Sequence, residues 1–116
     1  MAVMLEGVGS GIERYMNLVS ARQKLTASNI ANTDTPGYHT KDIDFRAEFE
    51  SQLSGSEPNI IEVSGLKTKN DGNNVDMDRE ARNLAENDLR FSVAANLVRS
   101  ELSTVRLAIE ADKASA

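Results

Sequence analysis

One uninterrupted pattern predicts the fold class of this chain: residues 77–113 are MDREARNLAENDLRFSVAANLVRSELSTVRLAIEADK. Apolar residues recur in this segment at alternating steps of four and three, and no glycine or proline interrupts them. Such spacing is typical of a helix with one apolar stripe, a heptad seam. Asp76, directly before the segment, is predicted to be its N-cap, and Lys113 lies near the negative end of the helix dipole. Nine of the ten seam positions are apolar, and Asp88 is the exception: Met77, Ala81, Leu84, Asp88, Phe91, Ala95, Val98, Leu102, Val105 and Ile109.

A second seam predicts an N-terminal helix over residues 11–32. The apolar positions of this seam, which begins before the predicted helix, are Leu5, Val8, Ile12, Tyr15 and Val19. Residues 10–13 have the spacing of a capping box, which places the helix start at Gly11. Three glycines at positions 7, 9 and 11 each cost about 1 kcal/mol inside a helix. Residues 1–10 are therefore predicted to be a flexible start that becomes ordered on a partner.

The connector, residues 33–76, joins the two predicted helices and holds both prolines. Asp44 is predicted to cap a short helix that places Phe45, Phe49 and Leu53 on one face and ends at Gly55. Residues 60–66 predict a small β-hairpin about a turn at Ser64-Gly65. The sequence thus predicts one mainly α domain over residues 1–116. Its antiparallel N- and C-terminal helices form a coiled-coil-like hairpin.

Composition and charge exclude several classes of function. The chain has 116 residues and a net charge of −5, so it lacks the clustered positive charge that binds nucleic acid. It has no cysteine and one histidine, His39, and no glycine-rich phosphate loop. A calcium loop from Asp71 would need ligands at its fifth and twelfth positions, where Val75 and Arg82 stand. We therefore expect no catalytic, cofactor or metal-binding residues. No segment predicts a membrane span or a cleaved signal peptide.

A tight turn is predicted directly after the first helix. In Thr35-Pro36-Gly37-Tyr38, proline at the second position and glycine at the third specify a type II turn. Residues 29–45, NIANTDTPGYHTKDIDF, contain this turn and form the first motif. Residues 71–78, DGNNVDMD, followed by LAEN at 84–87, form the second motif.

The two motifs resemble those of the bacterial flagellar rod, hook and related axial proteins, and most closely those of the basal-body rod. In that family the first motif follows the N-terminal helix and the second opens the C-terminal helix. The resemblance implies a set of assembly residues in the two motifs: Asn29, Ala31, Asn32, Thr35, Pro36, Gly37, Tyr38, Asn74, Val75 and Asp76.

The resemblance also implies a function. It implies a structural subunit of the proximal rod that assembles with itself and with other proteins through its terminal helices, contributes to motility and needs no cofactor. The implied partners are other flagellar rod proteins, the rod adaptor, and MS-ring and export-gate components. The implied location is the periplasmic rod of the basal body, reached through flagellar type III export without a cleaved signal peptide. The alternative is a helical-hairpin adaptor or export chaperone that does not polymerise.

Helix lengths and register complete the expectations. Residues 11–32 and 77–113 make helices of roughly 33 and 55 Å, which leaves some 20 Å of seam for neighbouring subunits to cover. The connector runs from about residue 32 to residue 77, and the two helices are predicted to be antiparallel. Residues that face each other across the two helices should therefore have residue numbers that sum to roughly 109–110. Arg22 would then face Asp88, unless both side chains simply reach solvent. The seam residues expected to carry the packing are Ile12, Tyr15, Val19, Leu84, Phe91, Val98, Leu102 and Val105.

Overall fold

Two long helices form an antiparallel hairpin in the computed structural model, which describes residues 2–51 and 57–114, with side chains from Gly9 onward in the first helix. The molecule measures 73 × 24 × 17 Å along its principal axes. The mainly α fold with paired terminal helices is thereby confirmed. In chain order the elements are α1 (Ala2–Ala31), β1 (Lys41–Asp42), α2 (Phe45–Glu50), β2 (Ile61–Glu62) and α3 (Met77–Ala114).

The first helix is longer than predicted. It begins at Ala2, so the predicted start at Gly11 is wrong. The apolar steps of the seam continue upstream of Gly11, and Gly9 already lines the groove that α1 forms with α3. With 30 and 38 residues, α1 and α3 are about 45 and 57 Å long. Their lengths therefore differ by about 12 Å, less than the predicted difference of some 20 Å. The mobility of residues 1–10 in the isolated chain stays a prediction.

The short helix α2 packs on the middle of α1. Asp44 caps it as predicted, since its carboxylate accepts a hydrogen bond from the Ala47 amide at 3.2 Å. The ring of Tyr15 meets the rings of Phe45 and Phe49 edge-on, with centroids 5.2 and 5.9 Å apart. This seam residue therefore contacts α2. The predicted helix end at Gly55, with Leu53, lies outside the described residues.

The connector forms a small antiparallel sheet of two strands. β1 pairs with β2 so that Lys41 faces Glu62 and Asp42 faces Ile61. The predicted local hairpin about Ser64-Gly65 is therefore wrong, although Gly65 does adopt a positive φ of 80°. Residues 41–42 are held next to α1 and pair with β2. The sequence of residues 60–66 alone does not indicate this distant partner. Strand pairing depends on such tertiary neighbours more than on local propensity.

In the first half of α3, over residues 80–94, the face that meets α1 is not the apolar stripe. The buried residues of α3 are Glu80, Asn83, Asn87 and Ala94, a stripe rotated by about 70° from the predicted seam at 100° per residue. Leu84 and Phe91 remain 38% and 45% exposed.

The longitudinal register of the two helices nevertheless agrees with the prediction. Hydrogen bonds join Asn29 to Glu80 and Gln23 to Asn87, and both pairs satisfy the predicted sum. The predicted facing of Arg22 and Asp88 is wrong, because Arg22 binds Asp42 of the connector at 3.1 Å. The rotation of α3 explains both results. It changes which side chains face α1 without sliding one helix along the other.

Candidate assembly site

Buried polar side chains bring the two sequence motifs together at the closed end of the hairpin. We call this group the polar cluster. It consists of Asn29, Thr40, Asp42, Asn73, Asn74 and Glu80, which are all buried. Buried polar groups are costly unless they are hydrogen-bonded, so the partners of each side chain determine what the cluster does.

Asn29, near the end of α1, is the central residue of the polar cluster. Its amide nitrogen donates to the Lys41 carbonyl at 2.8 Å and to a Glu80 carboxylate oxygen at 3.1 Å. Its amide oxygen accepts from the Tyr38 hydroxyl at 2.9 Å and from the Lys41 amide at 3.1 Å. One side chain thus joins α1, the turn, β1 and α3 with all four of its hydrogen bonds made.

Asn73 and Asn74 attach the second motif to the first. The Asn73 amide nitrogen donates to the carbonyls of Asn32 and Thr35 at 2.8 and 2.9 Å, so it binds the backbone where α1 ends. The Asn74 side-chain oxygen accepts from the Thr40 amide at 2.6 Å. These bonds run between segments more than 30 residues apart in sequence. The chain entering α3 is therefore held against the chain leaving α1.

Two glycines allow the motifs to approach this closely. The predicted type II turn is present, since Tyr38 N–H bonds the Thr35 carbonyl at 3.2 Å and Gly37 has a φ of 74°. The Gly37 amide donates to the Asp71 carbonyl at 2.9 Å. A Cβ at Gly72, whose φ is 86°, would lie 3.3 Å from the Gly37 Cα. A side chain at Gly72 would thus force the two turns apart.

An ion network connects the polar cluster to both helices. Asp42 accepts from Arg22 at 3.1 Å and from Arg79 at 2.6 Å, and Arg79 also reaches Glu80 at 2.8 Å. Burial alone would lower the pKa of the Arg79 guanidinium, but hydrogen bonds and charge attraction from Asp42 and Glu80 outweigh that effect and raise the pKa. Arg79 therefore stays charged. Arg22 also donates to the Asn83 side chain at 3.2 Å.

The residues that the resemblance singles out do not all enter the cluster. Asn29, Asn74 and Val75 are buried, Asp76 caps α3 through the Asp78 amide at 3.0 Å, and Ala31 is exposed. Thr35 and Pro36 are exposed in the turn, while Asn32 and Tyr38 are half-buried.

Sequence reasoning missed part of the cluster. It assigned no role there to Asp42, Gly72, Asn73, Arg79 and Glu80. One signal could have indicated charge partners: Arg22 interrupts the apolar seam of α1, and a cation inside a packed face needs carboxylates around it.

The helix seam forms an open groove at the other end of the hairpin. The groove has a volume of about 520 Å³, and its apolar lining is Ile12, Met16, Phe91, Val98, Leu102 and Val105. Val19 lies deeper, at 2% exposure, while Leu102 is 54% exposed. The seam therefore brings together most of the predicted residues, but it leaves them open to solvent along one side.

The described residues hold no metal cluster. No three histidine or carboxylate side chains in this part of the chain converge as ligands. None of the described helices is both long enough and apolar enough to cross a membrane.

Comparison with known proteins identifies the family. Residues 16–39, which hold the second half of α1 and the turn, match the family model described as flagella basal body rod protein. The FlgB rod protein of Borrelia hermsii is 32% identical, over 84% of this chain and 91% of the relative. Those of Salmonella typhimurium and Escherichia coli K12 are 31% and 30% identical, over 78% of this chain and 83% of each relative. The chain belongs to the FlgB family of flagellar basal body rod proteins.

Membership of the FlgB family confirms the resemblance that the two motifs carry. This chain is a structural subunit of the flagellar rod and belongs to the basal body. FlgB-family chains are rod components, so assembly with other rod components follows. The FlgB family is a family of structural proteins.

Proposed function

We propose that this rod subunit assembles through exposed apolar surfaces along its helix hairpin. The polar cluster fixes the packing of the two helices, so that these surfaces stay accessible to neighbouring subunits. The observation that carries the proposal is the position of the exposed apolar residues of α3. One stripe beside the groove holds Leu84, Phe91, Leu102 and Ile109. A second stripe, roughly opposite α1, holds Leu89, Val93, Leu97 and Leu107.

Two exposed stripes are more than a single helix hairpin needs. Soluble monomers rarely expose contiguous apolar patches of several hundred Å². One α3 with apolar residues on two sides can contact two different neighbours, while its third side packs on α1. Contacts between unlike surfaces of successive subunits build open helical assemblies when the rotation between neighbours does not close into a ring. This arrangement supports a subunit surrounded by other rod proteins.

The polar cluster supports a role inside the subunit. Asn29, Gly37 and Tyr38 use their hydrogen bonds within the chain, so substitutions there should lower the stability of the monomer as well as assembly. We therefore expect the turn to matter for the stability of the monomer and not for assembly alone. Contacts with the rod adaptor, the MS ring and the export gate remain proposals that rest on the resemblance.

Substitution on the outer stripe of α3 tests the proposal. Leu97 is 53% exposed, so Leu97→Glu should change the free energy of unfolding by no more than about 0.5 kcal/mol. The matched control is Ser92→Glu, which adds the same charge at an exposed position between the two stripes. In a strain that lacks its own FlgB-family protein, Ser92→Glu should restore swimming and Leu97→Glu should not. The Leu97→Glu chain should also be absent from purified basal bodies.

The outcomes separate the two candidate classes of protein. Normal incorporation of the Leu97→Glu chain into basal bodies would contradict assembly through the outer stripe. A non-polymerising adaptor or chaperone predicts that the wild-type chain restores swimming but stays out of purified basal bodies. Fractionation of the wild-type strain measures this directly.

A further inference from the structure

The groove between α1 and α3 has an acidic residue on each wall. Glu13 from α1 and Glu101 from α3 line it together with the apolar side chains of the seam. Neither carboxylate makes an ion pair with a side chain of residues 9–51 or 57–114. The neighbouring Arg14 is occupied elsewhere, since it donates to the Glu48 carbonyl at 2.8 Å and to Ser51. An apolar groove with two unneutralised acids is complementary to an apolar helix that carries basic residues.

One face of the end of α3 has this character. Basic and apolar residues alternate there at steps of three and four, on one face: Arg99, Leu102, Arg106, Ile109 and Lys113. Ile109 is half exposed. Within the described part of the chain, neither Arg106 nor Lys113 forms an ion pair. Ile109 thus has a cation three residues before it and another four residues after it.

We propose that residues 106–113 of one subunit occupy the acid-edged groove of a second copy of this chain. The inference rests on the proposed function and names the partner of one assembly surface. Ile109 would enter the apolar lining, and Arg106 and Lys113 would reach Glu13 and Glu101. The segment is about 10 Å long, which fits the roughly 16 Å of α1 between Gly9 and Ser20.

The occupant has to come from another subunit. Helix α3 is continuous from Met77 to Ala114, and residues 98–105 of the same helix form one wall of the groove. The following turns of a continuous helix cannot fold back into that groove. The two surfaces are different, so the contact leaves a free groove on one subunit and a free helix end on the other. It can therefore repeat along an assembly.

Cysteine cross-linking tests the contact, because the chain has no native cysteine. A Met16→Cys chain, with the thiol on the groove wall, is mixed with an Ile109→Cys chain under oxidation. The proposal predicts a disulfide-linked pair at a yield at least fivefold above that of Met16→Cys mixed with Ser64→Cys, an exposed connector position. An equal yield in the two mixtures would overturn the proposal.

Charge reversal tests the complementarity itself. Adding Glu13→Arg to the Met16→Cys chain should lower the cross-linking yield about fivefold, which corresponds to ~1 kcal/mol for an exposed ion pair. Adding Arg106→Glu to the Ile109→Cys chain should do the same. Combining the two reversed chains should restore the yield. Glu101→Arg provides a second variant on the other wall, and circular dichroism verifies that each chain is folded.

Failure of this inference is distinguishable from failure of the proposed function. If the reversed chains together do not regain cross-linking, the groove does not receive this helix end. If the wild-type chain still restores swimming in that case, the rod function stands and only the contact is refuted. Loss of swimming with the wild-type chain would instead refute the function.

Discussion

Asp42 offers the sharpest test of how the hairpin is held together. Its carboxylate lies between Arg22 and Arg79, with side-chain exposures of 8%, 13% and 19% respectively. Asp42→Asn keeps the shape and can still accept from the Ile43 amide, bonded at 2.8 Å, but it removes the charge that both guanidinium groups contact. Removing one partner of a buried ion pair costs about 3–5 kcal/mol. The partial exposure of both arginines reduces our expectation to about 2–4 kcal/mol.

Urea unfolding followed by circular dichroism measures the effect. With a slope of about 1.5 kcal/mol/M, Asp42→Asn should lower the midpoint by roughly 2 M. The matched control is Glu50→Gln, which removes a carboxylate 3.0 Å from Arg46 in a pair that is 63% and 88% exposed. Such a surface pair contributes no more than about 1 kcal/mol. If both variants lowered the midpoint equally, burial would not be what makes the Asp42 network strong, and our reasoning would fail.

Two further predictions concern the polar cluster. Gly72→Ala should cost about 2–3 kcal/mol, because its Cβ would meet the Gly37 backbone; Gly65→Ala shares the positive φ but has open space around it and should cost only about 1 kcal/mol. Asn29→Ala should cost about 3 kcal/mol by leaving four partner groups without their bonds, whereas the exposed Asn17→Ala should change stability by less than about 0.5 kcal/mol. The same urea titration measures all four variants, and no difference within a pair would refute its prediction.

The elements that depend on local pattern could be predicted from the sequence. The heptad steps of α3, the N-cap at Asp44 and the type II turn at Gly37 each follow from residues within one or two turns of chain. The longitudinal register was also predictable, because it depends on where α1 ends and α3 begins and on their antiparallel direction. The start of α1 was not predictable, because the average cost of glycine in a helix does not decide whether a particular segment is helical in the folded chain.

The polar cluster could be predicted only in part. Asn29 and Asn74 belong to motifs with a recognisable spacing, but Asp42 acquires its role only when two arginines from different helices converge on it. In the first half of α3, the heptad rule also places the wrong face of the helix toward α1. The rule assumes that apolar residues occupy the interface, whereas here Asn29, Arg22 and Gln23 of α1 present polar groups over the same length.

The mismatch between the buried face and the apolar face of α3 has a physical consequence for assembly. A helix that packed its apolar stripe on α1 would keep Leu84 and Phe91 inside the subunit, and it would offer neighbours mainly a polar surface. Here polar bonds to Glu80 and Asn87 hold the first half of α3 in place. Hydrogen bonds of fixed geometry specify one rotation of a helix more strictly than apolar contact does. The apolar stripe is thus left on the outside, where another subunit can bury it. The rotation of α3 therefore gives the hairpin an apolar surface for assembly.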